Sequence, residues 1–291
     1  MKGTAALLLR RVLTFAGVVF ASSVVFGALL WFTPGSSSIK DQADSFGGWV
    51  IVFWRGVFTL DLGGSYRGPP VVDLVLAGAR RTLPIIAAAL VLSLSMALAI
   101  AALAGDRMRR RGRWIRAAVH AGSLVPVFLL GYLALVVFAV PPDGPLLTLA
   151  AVCILALGDG VLTDGVLTVD AEIERLRDRD FICAVRLRGG RVWLRMLPHV
   201  ALPMAQLAAA KTTFLIGGVL VLEMVLGIQG IGLIGYRAAV HPDFPLLIAV
   251  TVFSTAIVAG MQLGVDVLRV VVDPRVRKDR RVLERQPGVG T

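Results

Sequence analysis

Six apolar runs, at about 12–32, 82–104, 117–140, 146–168, 200–226 and 246–272, constrain this chain more than any other feature of its sequence. Each is about 20 residues long, the length an α-helix needs to cross the ~30 Å hydrocarbon core of a bilayer. In hydrocarbon every backbone N–H and C=O must be bonded within the protein, so unbroken runs of this length are helices. Hydrophobic residues make up 57% of the 291, gathered in blocks rather than spread over the amphipathic stripes of a soluble domain. The chain reads as one all-α polytopic membrane domain, residues 1–291, with about six transmembrane helices. Lys2, Arg10 and Arg11 precede the first run, as they would in a signal peptide. That run exceeds a signal h-region and ends in Trp31-Phe32-Thr33-Pro34, an interfacial anchor and a stop, which reads as a retained span.

A net charge of +11 raises the question of nucleic acid. The charges answer it by alternating from loop to loop. Arg107, Arg109, Arg110, Arg111, Arg113 and Arg116 fall in one loop, Arg175 to Arg195 in another, and Arg275 to Arg285 in the tail, residues 273–291. The opposite side holds Lys40, Arg55, Arg67, Arg80, Arg81 and Arg237. This is the positive-inside pattern, and it predicts both termini in the cytoplasm with the basic tail near anionic lipid. No basic face interleaved with aromatic residues points to nucleic acid. Cys153 and Cys183 fall in a span and in a cytoplasmic loop, so a disulfide is not expected, and two thiols make no metal framework.

The segment of about 33–81 lies outside the membrane in this topology. Its run Phe46 to Arg55, with two tryptophans, suits a short helix at headgroup level. Pro126 places a kink in the third span, and Pro141 to Pro145 makes a tight outer turn. The cytoplasmic loop of about 169–199 carries short helices. Asp180 starts one of them, with Phe181, Ala184, Val185 and Leu187 as an apolar stripe and Arg186 and Arg188 pointing elsewhere. Gly189-Gly190 ends it, and Arg191 to Met196 leads to Pro198. Interleaved acids weaken a lipid-surface reading. Docking into a cytoplasmic partner uses the stripe as anchor, with Arg186, Arg188 and Arg191 as a charged rim.

Ionisable groups inside a span face protein or water. Asp159 and Asp164 are about 140° apart around a helix and need not share a face. Lys211, with Gln206 on the same span, needs a carboxylate partner, for which Asp266 and Asp159 are the candidates. Glu223 either caps the following loop or lines an exit. Two membrane aspartates raise an intramembrane aspartyl protease, but the context Ala156-Leu157-Gly158-Asp159 does not match one. A proton-coupled secondary transporter of small solutes is the alternative function, although no inverted repeat is visible. There is no catalytic triad, phosphate-cradling loop or metal-ligand spacing, so no catalytic, cofactor or metal site is assigned and the chain does not read as an enzyme.

Taken in order, these motifs resemble the bacterial ABC importer permeases of the dipeptide/oligopeptide/nickel family. The run Asp180-Phe181-Ile182, Val185, Arg188-Gly189 and His199 is similar to the family's cytoplasmic coupling loop. Gly217-Gly218, Glu223, Gly230 and Gly232 match a second motif, with Gln229 where the family has proline. Asp61-Leu62-Gly63, Ser65, Thr82-Leu83, Pro126, Phe128, Asp243-Phe244-Pro245, Asp266 and Asp273-Pro274-Arg275 fit as well. The resemblance implies a MetI-like permease fold in the bacterial inner membrane. It implies as partners a second homologous permease, two ATPase subunits that hold the ATP and Mg, and an extracytoplasmic substrate-binding protein. On this reading Asp180, Phe181, Ala184, Val185, Arg186, Arg188, Gly189 and Arg191 form the coupling helix. Glu223, Gln229, Gly230, Gly232, Asp159, Asp164, Gln206 and Lys211 are gate or pathway candidates for peptides or similar small solutes.

Overall fold

A computed structural model of the chain describes residues 2–34, 42–66, 68–103, 109–137, 144–177, 179–188 and 192–272. Gly189, Arg191, the serines at 36–38, the turn at Pro141 and the tail at 273–291 lie outside them. The described residues form eleven helices: α1 (Lys2–Trp31), α2 (Phe46–Thr59), α3 (Val71–Leu103), α4 (Arg109–Gly122), α5 (Val127–Val137), α6 (Pro145–Gly158), α7 (Val161–Arg177), α8 (Asp180–Leu187), α9 (Val192–Leu226), α10 (Ile231–Val240) and α11 (Phe244–Val272). Helices α1, α3, α9 and α11 are each long and apolar enough to cross a membrane, and the bent pair α6–α7 makes a fifth candidate.

The third expected span is where the structure departs from the sequence reading. Residues 117–140 are not one helix. The chain turns at 123–126 through short-range bonds, Leu124 N–H to Ala121 O and Val125 N–H to Gly122 O. Pro126, which has no N–H to continue a helix, instead offers its carbonyl to Leu129 and Leu130 and so opens α5. The basic helix α4 is thereby separated from the apolar α5. The outer segment is also shorter than expected, because α3 already begins at Val71. The piece expected between Arg191 and Met196 is absorbed into α9, which carries Pro198 and Pro203 inside it.

Helix α9 runs through the middle, packed on α5, α7, α10 and α11, while α3 lies against α6 and α7 and α1 lies along α11. The largest apolar cluster joins α3, α6 and α9 through Ile85, Ala89, Leu155, Leu215 and Leu222. Arg11 and Asp266 pair at 2.9 Å between α1 and α11. Large apolar side chains elsewhere on α1, such as Leu13, Val25 and Leu29, remain exposed, as lipid-facing residues do.

Helix α2 is held against α1 more tightly than a surface helix need be. Ser45 caps its start by accepting a bond from Gly48 N–H at 3.2 Å. Trp49, only 2% exposed, stacks between Phe46 and Phe53. Trp54 donates to Ser23 Oγ at 3.0 Å. The fit depends on Gly27, where a Cβ would lie 2.3 Å from the Trp49 ring. Gly27→Val is expected to lift α2 from α1 and shift tryptophan emission to longer wavelength. Gly17→Val, at a position with nothing within 4 Å of a Cβ, should leave the spectrum unchanged.

Candidate functional site

The polar groups of the bundle gather in two places, one at the far end of α9 and one halfway along it. At the far end, Glu223 is fully buried. Thr82 of α3 donates its hydroxyl to Glu223 Oε1 at 2.6 Å. Gly232 N–H and Leu233 N–H donate to Oε2 at 2.7 and 3.3 Å. Thr82 Oγ1 in turn accepts from Ile231 N–H at 2.8 Å. The first three amides of α10, which no earlier turn can satisfy, are thus capped from two other helices. The cap of α10 itself is Gly230, which has no side chain to do so. Glu223 thus caps the start of α10 in this geometry.

The glycines of this motif are dictated by closeness. A Cβ on Gly230 would sit 1.9 Å from Glu223 Oε1. One on Gly232 would sit 2.4 Å from Leu220 Cα, and one on Gly78 would sit 3.0 Å from Ile231 N. Gly227, at φ +71°, takes a left-handed conformation that lets the chain leave α9 and turn back. Gln229 is exposed and accepts from Arg237 Nη1 at 2.9 Å.

A second tie joins the ends of two segments that are far apart in sequence. Asp243 is 5% exposed. It accepts from Leu246 N–H at 3.3 Å, capping α11, and from Tyr66 N–H at 3.1 Å. Ser65 Oγ donates to the same carboxylate. Sequence reasoning had both motifs without joining them. The available signal was Asp243 standing before Phe244-Pro245, an N-cap followed by a helix-starting proline.

Halfway along α9, Lys211 forms an ion pair with Asp164 of α7. This corrects the expected partners. Asp266 is engaged by Arg11, and Asp159 is the nearby acid rather than the bonded one. The correction follows from the break between α6 and α7. Gly160, at φ +71°, bends the pair by 49°. Periodicity on one straight helix would have kept the two aspartates apart. The bend brings both near Lys211, whose Nζ also lies 5.2 Å from the Phe214 ring centroid. Asp159 Oδ2 is buried without a hydrogen-bond partner among the described residues. Gly218 leaves room for this carboxylate, since a Cβ there would lie 3.2 Å from Oδ1. Gln206 is half-buried on α9, and the structure gives it no bond to this cluster.

In the loop, α8 is seated on its own protein by Ile182, which is fully buried with Leu176 and Met196. Sequence reasoning placed the apolar stripe at Phe181, Ala184, Val185 and Leu187 and left out Ile182. Ala184, Arg188 and Asp180 are exposed, Val185 is half-buried, and Leu187 is 89% exposed. Phe181 and Arg186 lie on the same helix. Cys183 is exposed on α8, Cys153 is half-buried on α6, and both are free.

A bundle of long apolar helices tied by ion pairs between them is a multi-pass membrane protein. Residues 97–278 match the family described as binding-protein-dependent transport system inner membrane component. The chain belongs to that family. It is 24% identical to a probable peptide ABC transporter permease protein, y4tP, of Sinorhizobium fredii, over 79% of this chain and 78% of the relative. It is 24% identical to the oligopeptide transport system permease protein OppB of Salmonella typhimurium, over 75% and 76%. It is 25% identical to the oligopeptide transport system permease protein AppB of Bacillus subtilis, over 72% and 73%.

The clamp generates a paired prediction. Gly230→Ala should displace the Glu223 carboxylate and lower the thermal midpoint of the detergent-solubilised protein. Gly217→Ala, where a Cβ meets nothing within 4 Å, should not. Thr82→Val keeps the shape but leaves Ile231 N–H without an acceptor, at a cost of about 1–3 kcal/mol. A midpoint indifferent to both Gly230→Ala and Thr82→Val would refute the clamp.

Proposed function

We propose that the chain is the permease subunit of an ATP-driven ABC importer for peptides or similar small solutes. It supplies half of the translocation pathway, and a second homologous permease supplies the other half. Two cytoplasmic ATPase subunits bind the ATP and Mg, and an extracytoplasmic binding protein delivers the solute. Family membership supports the transport class, and the names of the relatives support peptides.

The observation that carries the coupling reading is the seating of α8. Ile182 fastens the helix to Leu176 and Met196. Ala184, Leu187 and Arg188 are left open on its outer face. A helix held at one face, with a large apolar side chain and a cation on the other, can transmit a push from a partner to α7 and α9. On this reading ATPase closure drives the helix, and rocking of the spans moves the opening from outside to inside.

Ala184→Arg should detach the ATPase, because a buried anchor at such an interface is worth roughly 2 kcal/mol or more, whereas rim changes such as Arg188→Ala should do less. The measurements are co-purification of the ATPase, ATP hydrolysis stimulated by the binding protein, and uptake into proteoliposomes. Wild-type values of all three for Ala184→Arg would sink the coupling reading. Uptake that persists without the ATPase and follows an imposed proton gradient would favour a secondary carrier.

The proposed orientation counts the short apolar helix α5 as part of a sixth crossing beside the five candidates and so has both termini in the cytoplasm. Reporter fusions at Leu60 and Arg111 should then read outside and inside respectively. A shared compartment for the two sites would overturn it.

A further inference from the structure

Two adjoining cavities open beside the Glu223 clamp. One, of about 340 Å³, is lined by Ser65, Arg81, Arg237, His241 and Asp243 among others. The other, of about 500 Å³, is lined by Arg80, Arg81, Leu147, Thr148 and Gly227 among others. Arg81 and Gln229 border both.

The charge of these walls is one-sided. Three guanidinium groups line them, and Asp243 is the only carboxylate among the described lining residues. Asp243 is already committed to Ser65, Tyr66 N–H and Leu246 N–H. Arg237 spends one N–H on Gln229. Arg80 and Arg81 have no hydrogen-bond or ion-pair partner among the described residues. Cations without a counter-charge among the described residues, in a concave and partly apolar cleft, concentrate anions there. Each guanidinium offers a planar fork that fits a carboxylate through two bonds.

The rest of the wall is mixed, with Thr148 and Gln229 next to apolar residues. Pro84, Ile85, Leu147 and Ile228 stand beside the arginines in the larger cavity. A small inorganic anion or an acidic protein edge has no use for such a wall, whereas a carboxylate attached to an apolar chain fits both parts. The wall also includes Gly227 and Ile228, the start of the loop that ends under Glu223 at Gly230.

We propose that this mouth is a subsite for the carboxylate end of an amphipathic solute, such as a peptide C-terminus, with Arg81 as its central contact. The inference deepens the import reading and relies on it for the solute's identity. Its test does not depend on the ATPase. The full chain, in uncharged detergent micelles, is titrated with trialanine bearing a free carboxylate and with trialanine amide, and binding is read by ligand-observed saturation-transfer NMR. The free acid should bind, and the amide should give little signal. Arg81→Gln should weaken binding of the acid roughly tenfold or more, and Arg81→Lys should weaken it less. Thermal midpoints of both variants check that they remain folded.

Equal binding of acid and amide would overturn the proposal, as would acid binding unaffected by Arg81→Gln. Absence of binding by either probe would overturn it too. In that case, loss of binding-protein co-purification in Arg80→Gln and Arg81→Gln would reassign the arginines to a docking rim. Failure of ATPase docking in the earlier experiment leaves these readouts intact, so the two readings fail separately.

Discussion

The Glu223 carboxylate is the tie on which one end of the bundle depends. It receives a hydroxyl from α3 and two amides from α10 while sitting on α9. In the interior of a membrane protein no water is at hand to replace a lost partner, so the three helices are held as one body. The glycines follow from the tie rather than the reverse. Gly230 and Gly232 are small because the acid and the α9 backbone already occupy the space their side chains would need. The loop Gly227–Gly230 is therefore short, and its constraint falls on Gly230, beside the Glu223 carboxylate.

The middle of the bundle is built differently. There α6 and α7 meet at a bend, and the ionic groups are fewer in donors than in acceptors. Lys211 serves Asp164 while Asp159 keeps an oxygen without a partner among the described residues. The fully satisfied Glu223 clamp at one end of α9 thus contrasts with a centre where one carboxylate oxygen has no partner among the described residues. In the proposed transport cycle the bend at Gly160 is a backbone break between two well-packed helical pieces, flanked by the buried Leu155 and Val161.

Much of this was legible in the chain. The apolar runs located α1, α3, α9 and α11, because a run of that length has no other stable use. Glu223 and its glycines stood out as a motif, but the choice between capping and lining needed Thr82 to be seen from α3. The partner of Lys211 was misjudged because helical periodicity assumes a straight axis, and Gly160 removes that assumption locally. Pro126 was read as a kink within one span, whereas the freed backbone closes short turns and separates two helices. Ile182 escaped notice because an eight-residue helix is too short for its apolar side chains to declare which one faces inward. The Ser65–Asp243 tie spans 178 residues, a distance over which no local pattern carries information.

The ionic ties also bear on how the chain enters a membrane during synthesis. A chain made from its N-terminus presents its helices in order. An unpaired charge in hydrocarbon is costly while it waits for a partner. Glu223 arrives to find Thr82 already placed, and Thr82 waited as a neutral hydroxyl. Lys211 arrives to find Asp164, and Asp266 arrives last to find Arg11. In the two charged pairs the group that waits is the more exposed one, Asp164 at 42% against 17% for Lys211, and Arg11 at 50% against 23% for Asp266. In each charged pair the later helix brings the counter-charge to a group placed earlier in the chain, so the pairing follows the order of synthesis.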